Sequence, residues 1–164
     1  MTVVFAWLRN GFYAGLGLVL LLGIYLLWLW QPERQVRRHT QHLFKAVEKR
    51  SWTRLGEFVA PDFIDQWGDD RARLLERTRE VLRYVHVIHI SSAKILVQTQ
   101  HRHALWTGNI IIEGDSGEIT TELKSRVNSL ATPFELEWRR LTVMPWDWKL
   151  ARVSNPSLEI PTTD

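Results

Sequence analysis

From Gly11 to Trp30 the chain passes through twenty consecutive residues without a charge, and beyond Gln31 apolar and polar positions begin to recur with regular periods. At ~1.5 Å of rise per residue, a helix of that length reaches across a hydrocarbon layer of about 30 Å. The run therefore predicts a transmembrane helix over residues 11–30, preceded by a short tail at 1–10. Trp7, Phe12 and Tyr13 lie near one end and Tyr25, Trp28 and Trp30 near the other, where amphipathic rings favour the headgroup zone. A cleaved signal peptide would carry a shorter apolar region and a small-x-small site, whereas LLWLWQPERQ offers only bulky residues there. An uncleaved anchor is the expectation. Gly11 and Gly15 have the GxxxG spacing that lets two anchors approach closely, although glycine is common in membrane helices without that role.

After Pro32, a residue suited to the first turn of a helix, Val36, Thr40, Leu43, Phe44 and Val47 recur at helical spacing and predict a helix over 33–50. Ser51 is placed to cap a second helix carrying Trp52, Leu55, Phe58 and Val59, which must end before Pro61. Asp69 or Asp70 can cap a third, whose apolar stripe is Leu74, Leu75, Val81, Leu82 and Val85. The arginines and glutamates between those positions read as a solvated face with helical ion-pair spacing. Beyond Tyr84 the period falls to two. Residues 86–99, 102–113, 118–127, 133–143 and 146–154 read as strands, with Gly114-Asp115-Ser116-Gly117 as a hairpin turn and Met144-Pro145 with Asp147 as a tight corner. Three helices followed by an antiparallel sheet predict an α+β domain over 31–156, with helices covering one sheet face, and a loose tail at 157–164.

Composition narrows the chemistry. The 164 residues include no cysteine, which excludes disulfides, thiol nucleophiles and cysteine-based metal centres. The net charge of +3 is spread along the chain, unlike the concentrated basic face of a nucleic-acid binder, so no nucleic-acid partner is expected. Arg34, Arg37 and Arg38 are better matched to anionic lipid beside the anchor. Only Arg9 precedes the span while six basic residues follow it by position 50. Counting Lys and Arg thus places the C-terminal domain in the cytoplasm, and translocation of a folded domain against that rule keeps the external side open. No HExxH, Walker, GxSxG or strand-linked GxGxxG pattern occurs, and His86, His89, His101 and His103 lack metal-ligand spacing, so neither a metal nor a cofactor is implied.

The segments RSWTRLGEFVAPDFIDQW and FELEWRRLTVMPWDWKLARVSNP resemble the nuclear transport factor two-like fold, also called ketosteroid isomerase-like or SnoaL-like. The resemblance implies a cone-shaped domain of helices on a curved antiparallel sheet, with an apolar pocket between them that in the family's isomerases and dehydratases carries acid–base residues. Asp62, Tyr84 and His86 are the candidates by residue type alone. Along the predicted strands, Trp138 and Arg140 share one face of a strand and Trp106 lies on one face of another; the planar fork of Arg140 suits a carboxylate while the rings hold an apolar body, and core packing with Arg140 at the sheet edge is the alternative. An anchor without a recognisable catalytic set points to a membrane-tethered, non-catalytic binding or assembly module acting on a protein partner or on itself as a dimer. Its architecture resembles that of the single-pass assembly proteins of type IV secretion systems. A cofactor-independent isomerase or dehydratase, or a carrier of a small apolar ligand in the cone, are the alternatives.

Overall fold

The computed structural model describes residues 15–25 and 31–158. Residues 15–25 form helix α1, with Leu18, Val19, Leu21 and Ile24 all exposed. Among the described residues no helix is long and apolar enough to cross a membrane. The expected span of 11–30 is therefore represented by its central part alone, and Gly11, Trp28 and Trp30 lie outside the described residues.

The domain contains α2 (Pro32–Glu48), α3 (Trp52–Phe58), α4 (Arg71–Arg83), β1 (Ile88–Gln100), β2 (His103–Gly114), α5 (Glu118–Asn128), β3 (Phe134–Arg140) and β4 (Trp148–Ser154). The four strands form one antiparallel sheet in the order β1-β2-β3-β4. Pro32 opens α2 and Val36, Thr40, Leu43 and Phe44 are buried, as their spacing predicts. At α4 the cap is Asp70, whose carboxylate accepts the Arg73 N–H at 2.9 Å. Ser51 occupies the equivalent position before α3 without a side-chain capping bond.

One expected strand is a helix. Residues 118–127 lie in α5, so the sheet has four strands and Gly114–Gly117 links a strand to a helix. Thr120 is fully buried, with Leu123 and Val127 half-buried, a spacing of three and four that fits a helix facing the sheet as well as period two fits a strand. Glu122 and Arg126, four apart, form an ion pair at 2.6 Å that only the helix permits. β3 pairs with β2 only as far as Gly108. Beyond it the Asn128 side chain accepts the Ile112 N–H at 2.8 Å and donates to the Ile112 carbonyl at 2.9 Å, so α5 closes the exposed edge of β2.

The core lies between the helices and one sheet face, around Trp106, Trp138 and Trp148, each 1% exposed. Phe44 of α2 meets the Trp106 ring edge-on, with centroids 6.0 Å apart. Gly108 is required beside them, because a Cβ there would stand 2.8 Å from the end of the Trp106 indole. α2 runs antiparallel to β1: Arg37 donates to the Ile95 carbonyl at 3.3 Å, and Glu48 accepts the Ile90 N–H at 2.6 Å. That alignment gives the domain two poles. At one lie the start of α2, the β1–β2 turn at 101–102 and the β3–β4 loop at 141–147; at the other lie the start of β1, the end of α4 and the Gly114–Gly117 connection. At the C-terminal end of the domain Asn155 is fully buried, and Gln66 and Trp67 donate to the carbonyls of Asn155 and Leu158 at 2.7 and 3.0 Å.

Candidate functional site

Helix α4 carries a long apolar stripe of which only Leu82 is fully buried. Leu74, Thr78 and Val81 instead face an open cleft of about 500 Å³ whose other walls include Ile88 and Ile90 of β1, Ile112 of β2, Leu123 of α5 and Val47 of α2. A cavity of this size with mostly apolar walls is the usual form of a small-molecule site.

The polar groups of the cleft come from the loop that leads into α4. Gly68, at φ +85°, reverses the chain in a conformation that favours glycine. The reversal lets Asp65 Oδ1 accept the N–H groups of Trp67 and Asp69 at 2.9 and 2.8 Å. Asp69 is buried in turn and pairs with Arg77, about two turns into α4, at 2.7 Å. Asp65, Asp69, Arg77 and Thr78 all line the cleft. Burial pushes the Asp65 carboxyl above the usual carboxylate range and the Asp69 charge pushes it further, while the backbone N–H groups of Asp69 and Trp67, and Arg77, act in the opposite direction. Thr78 gives its hydroxyl hydrogen to the Leu74 carbonyl at 2.7 Å. The polar rim is thus largely engaged with the protein itself.

The three acid–base candidates lie elsewhere. Asp62 pairs with Arg139, which stands across from His103 at the start of β2. Tyr84 is 63% exposed at the end of α4, and the exposed His86 ring approaches Asp115, just past the end of β2, at 3.6 Å. Asp62 is therefore separated from the other two by the length of β2, roughly 36 Å of strand at ~3.3 Å per residue. Trp138 and Arg140 are neighbours on the covered face of β3, whereas Trp106 lies across from Leu136. Both tryptophan rings are packed in the core, with His39 edge-on to Trp138 at 6.1 Å, and the Arg140 guanidinium stands 5.7 Å over the Trp148 ring. Neither Trp138 Nε1 nor Arg140 Nε has a hydrogen-bond partner. At Gly15 of α1 nothing approaches within 4 Å of where a Cβ would lie.

The cleft residues Asp65, Asp69 and Arg77 escaped the sequence reading because their types are ordinary there. Asp69 reads as a helix cap and Arg77 as part of a solvated face. The available signal was the Asp65-x-x-Gly68-Asp69 loop directly before an apolar-striped helix. A second groove, of about 610 Å³, lies on the uncovered sheet face and is lined by polar residues including His103, Glu135, Glu137 and Arg139. It lacks the apolar walls that distinguish the α4 cleft.

No protein-family profile matches the chain, and no curated protein sequence does. Solved structures do. Bd1075 of Bdellovibrio bacteriovorus superposes with a TM-score of 0.57 at 9% identity over 74% of this chain, which spans only 38% of that protein. A nuclear transport factor two-like protein of unknown function from Pseudomonas putida gives 0.55 at 12% identity, covering 74% of this chain and 82% of that one. A Novosphingobium aromaticivorans protein provisionally assigned as a scytalone dehydratase gives 0.51 at 10% identity, covering 73% and 79%. At such identities the likeness concerns the backbone and carries no activity across. The domain from Pro32 to Ser154 has the nuclear transport factor two-like fold.

Proposed function

We propose that this protein is a non-catalytic binding module held at a bilayer by its N-terminal apolar segment, and that the cleft beneath α4 takes a small apolar ligand. The observation that carries the binding role is the cleft of about 500 Å³, with aliphatic walls from five elements and polar groups already engaged within the protein. A ligand entering it gains chiefly from removing apolar surface from water. The tether is supported by α1, whose leucines are exposed; so much contiguous apolar surface calls for a lipid or protein cover. The Lys and Arg count assigns the domain to the cytoplasmic side.

Titration of the full chain with a neutral naphthylamine dye tests the reading. Val81, half-exposed on the cleft wall, is the position to fill. The native chain is expected to bind the dye and Val81→Trp to lose binding without losing melting temperature. Absence of binding to the native chain, or equal binding by both, overturns the proposal.

Proton-transfer catalysis is the second reading, favoured by the raised pKa of Asp65 at the cleft. Turnover of an apolar carbonyl or hydroxyl compound that Asp65→Asn abolishes, with dye binding retained, would establish it in place of a carrier.

A further inference from the structure

The β3–β4 loop exposes an unusual concentration of apolar side chains. Leu141, Val143, Met144 and Trp146 are all exposed, Val143 at 75% and Trp146 at 55%. The loop is nonetheless firmly built. The buried Trp148 indole donates to the Pro145 carbonyl at 2.9 Å, Asp147 N–H donates to the Met144 carbonyl at 3.3 Å, and Leu141 N–H donates to the Asp147 carbonyl at 3.2 Å. These bonds hold the apolar tip away from the core that would otherwise cover it.

The tip stands at the pole where the chain enters the domain. α2 begins at Pro32, directly after the apolar segment, and His39, about two turns further on, lies near enough to Trp146 for the Trp146 carbonyl to act on its imidazole. The β1–β2 turn joins the same pole through the Arg140 N–H, which donates to the Arg102 carbonyl at 2.8 Å. The elements that meet at this pole carry the exposed Arg38 and Arg102 and the half-buried Arg140, and Lys149 of β4 is partly offset by Asp147 at 3.7 Å. Exposed aromatic and aliphatic side chains at a pole that also carries basic residues suit the boundary between anionic headgroups and acyl chains.

We infer that residues 141–146 form a second membrane contact, which inserts Val143, Met144 and Trp146 into the interface of an anionic bilayer and fixes the domain with its α4 cleft turned away from the lipid. The inference rests on the tether proposed above. A single tether leaves the domain free to pivot; a second contact removes most of that freedom.

The absence of cysteine allows a direct test on the full chain. Val143→Cys and, at the opposite pole, Ser116→Cys each receive an environment-sensitive nitrobenzoxadiazole label. The proteins are then reconstituted in vesicles of phosphatidylcholine and phosphatidylglycerol, and Met144→Cys repeats the tip measurement at an independent position. The tip labels are expected to shift to the blue, brighten several-fold and be quenched by lipid-borne nitroxide, while the Ser116 label reports water. A protein that floats with the vesicles while the tip labels report water overturns the second contact and leaves the tether standing. A protein that does not float overturns the tether, and the second contact with it.

Discussion

The two poles of the domain both expose aliphatic side chains, yet they do so with opposite shapes. At the β3–β4 loop, Val143 and Trp146 project from a hydrogen-bonded base and form a convex tip. Beneath α4, Leu74 and Val81 face Ile88, Ile112 and Leu123 across an open cleft. A convex apolar tip can be covered only by something that flows around it or is concave, whereas a cleft can be filled by a small molecule. The difference in shape, rather than in residue type, assigns the two surfaces to different occupants. Between them lies the tryptophan-centred core, which makes the poles parts of one cooperative unit.

The largest effect is expected from breaking that shared core. Trp138→Ala removes a ring buried to 1% and should cost about 3–5 kcal/mol, a large fraction of the stability of a small domain. Thermal unfolding should show both poles lost in one transition; separate transitions would show that they are independent units. Gly108→Ala comes next, since its methyl group would press on the Trp106 indole from 2.8 Å. Overpacking at such a site should cost about 1–3 kcal/mol, measurable as a lowered denaturation midpoint with an unchanged slope.

Acid should distinguish the poles by the pH at which each weakens. Burial holds His39, beside the β3–β4 loop, below the ordinary imidazole range, against the pull of the Gln35 and Trp146 carbonyls. The unfolded chain takes up this proton near pH ~6.5 and the folded domain only lower, so stability should decline as pH falls through that window. His39→Gln should remove the decline. At the opposite pole, the Thr120 hydroxyl and then the backbone N–H groups of Val87, Gly117 and His86 hold the Asp115 carboxyl down to about 2. Thr120 Oγ1 makes no hydrogen bond of good geometry, so the backbone groups at 3.0–3.2 Å are the firmer partners. The stability from Asp115 is therefore present above pH 3.8 and lost as pH falls toward 2. The protection factors of the amides at 86–87 and 115–117 should fall there, and Asp115→Asn should flatten the response.

The smallest effect is expected at Asp65. Its folded-state pKa is raised, so its unfavourable charge disappears as pH falls, the opposite sign to Asp115. Asparagine keeps an oxygen for the Trp67 and Asp69 N–H groups without that charge. Asp65→Asn should therefore change melting temperature only slightly, upward at neutral pH, whereas Asp65→Ala, which strands both donors, should lower it.

The parts of this picture that sequence reveals are those set by local periodicity and capping. The buried stripe of α2, a cap at Asp69 or Asp70 and the tight corner at Met144-Pro145 between β3 and β4 follow from spacing and turn residues within a few positions of each other. Residues 118–127 resist the same logic because Ile119, Leu123 and Val127 satisfy both periods, and the deciding contacts, Thr120 against the sheet and Asn128 on Ile112, are tertiary. The cleft was hidden for a related reason. α4's stripe predicts an apolar face, but how completely another element covers that face depends on how far the 65–69 loop and α5 hold α4 from the sheet. Asp62, Tyr84 and His86 are candidates by type, and type carries no information about which end of β2 each occupies.

The division of labour between the poles can be tested most directly by amide hydrogen exchange on the full chain in vesicles, with and without the naphthylamine dye. Vesicles should protect 141–147 and the 101–102 turn, and the dye should add protection along α4, Ile88–Ile90 and Ile112 without altering the first set. Dye protection at 141–147, or vesicle protection along α4, would contradict the account.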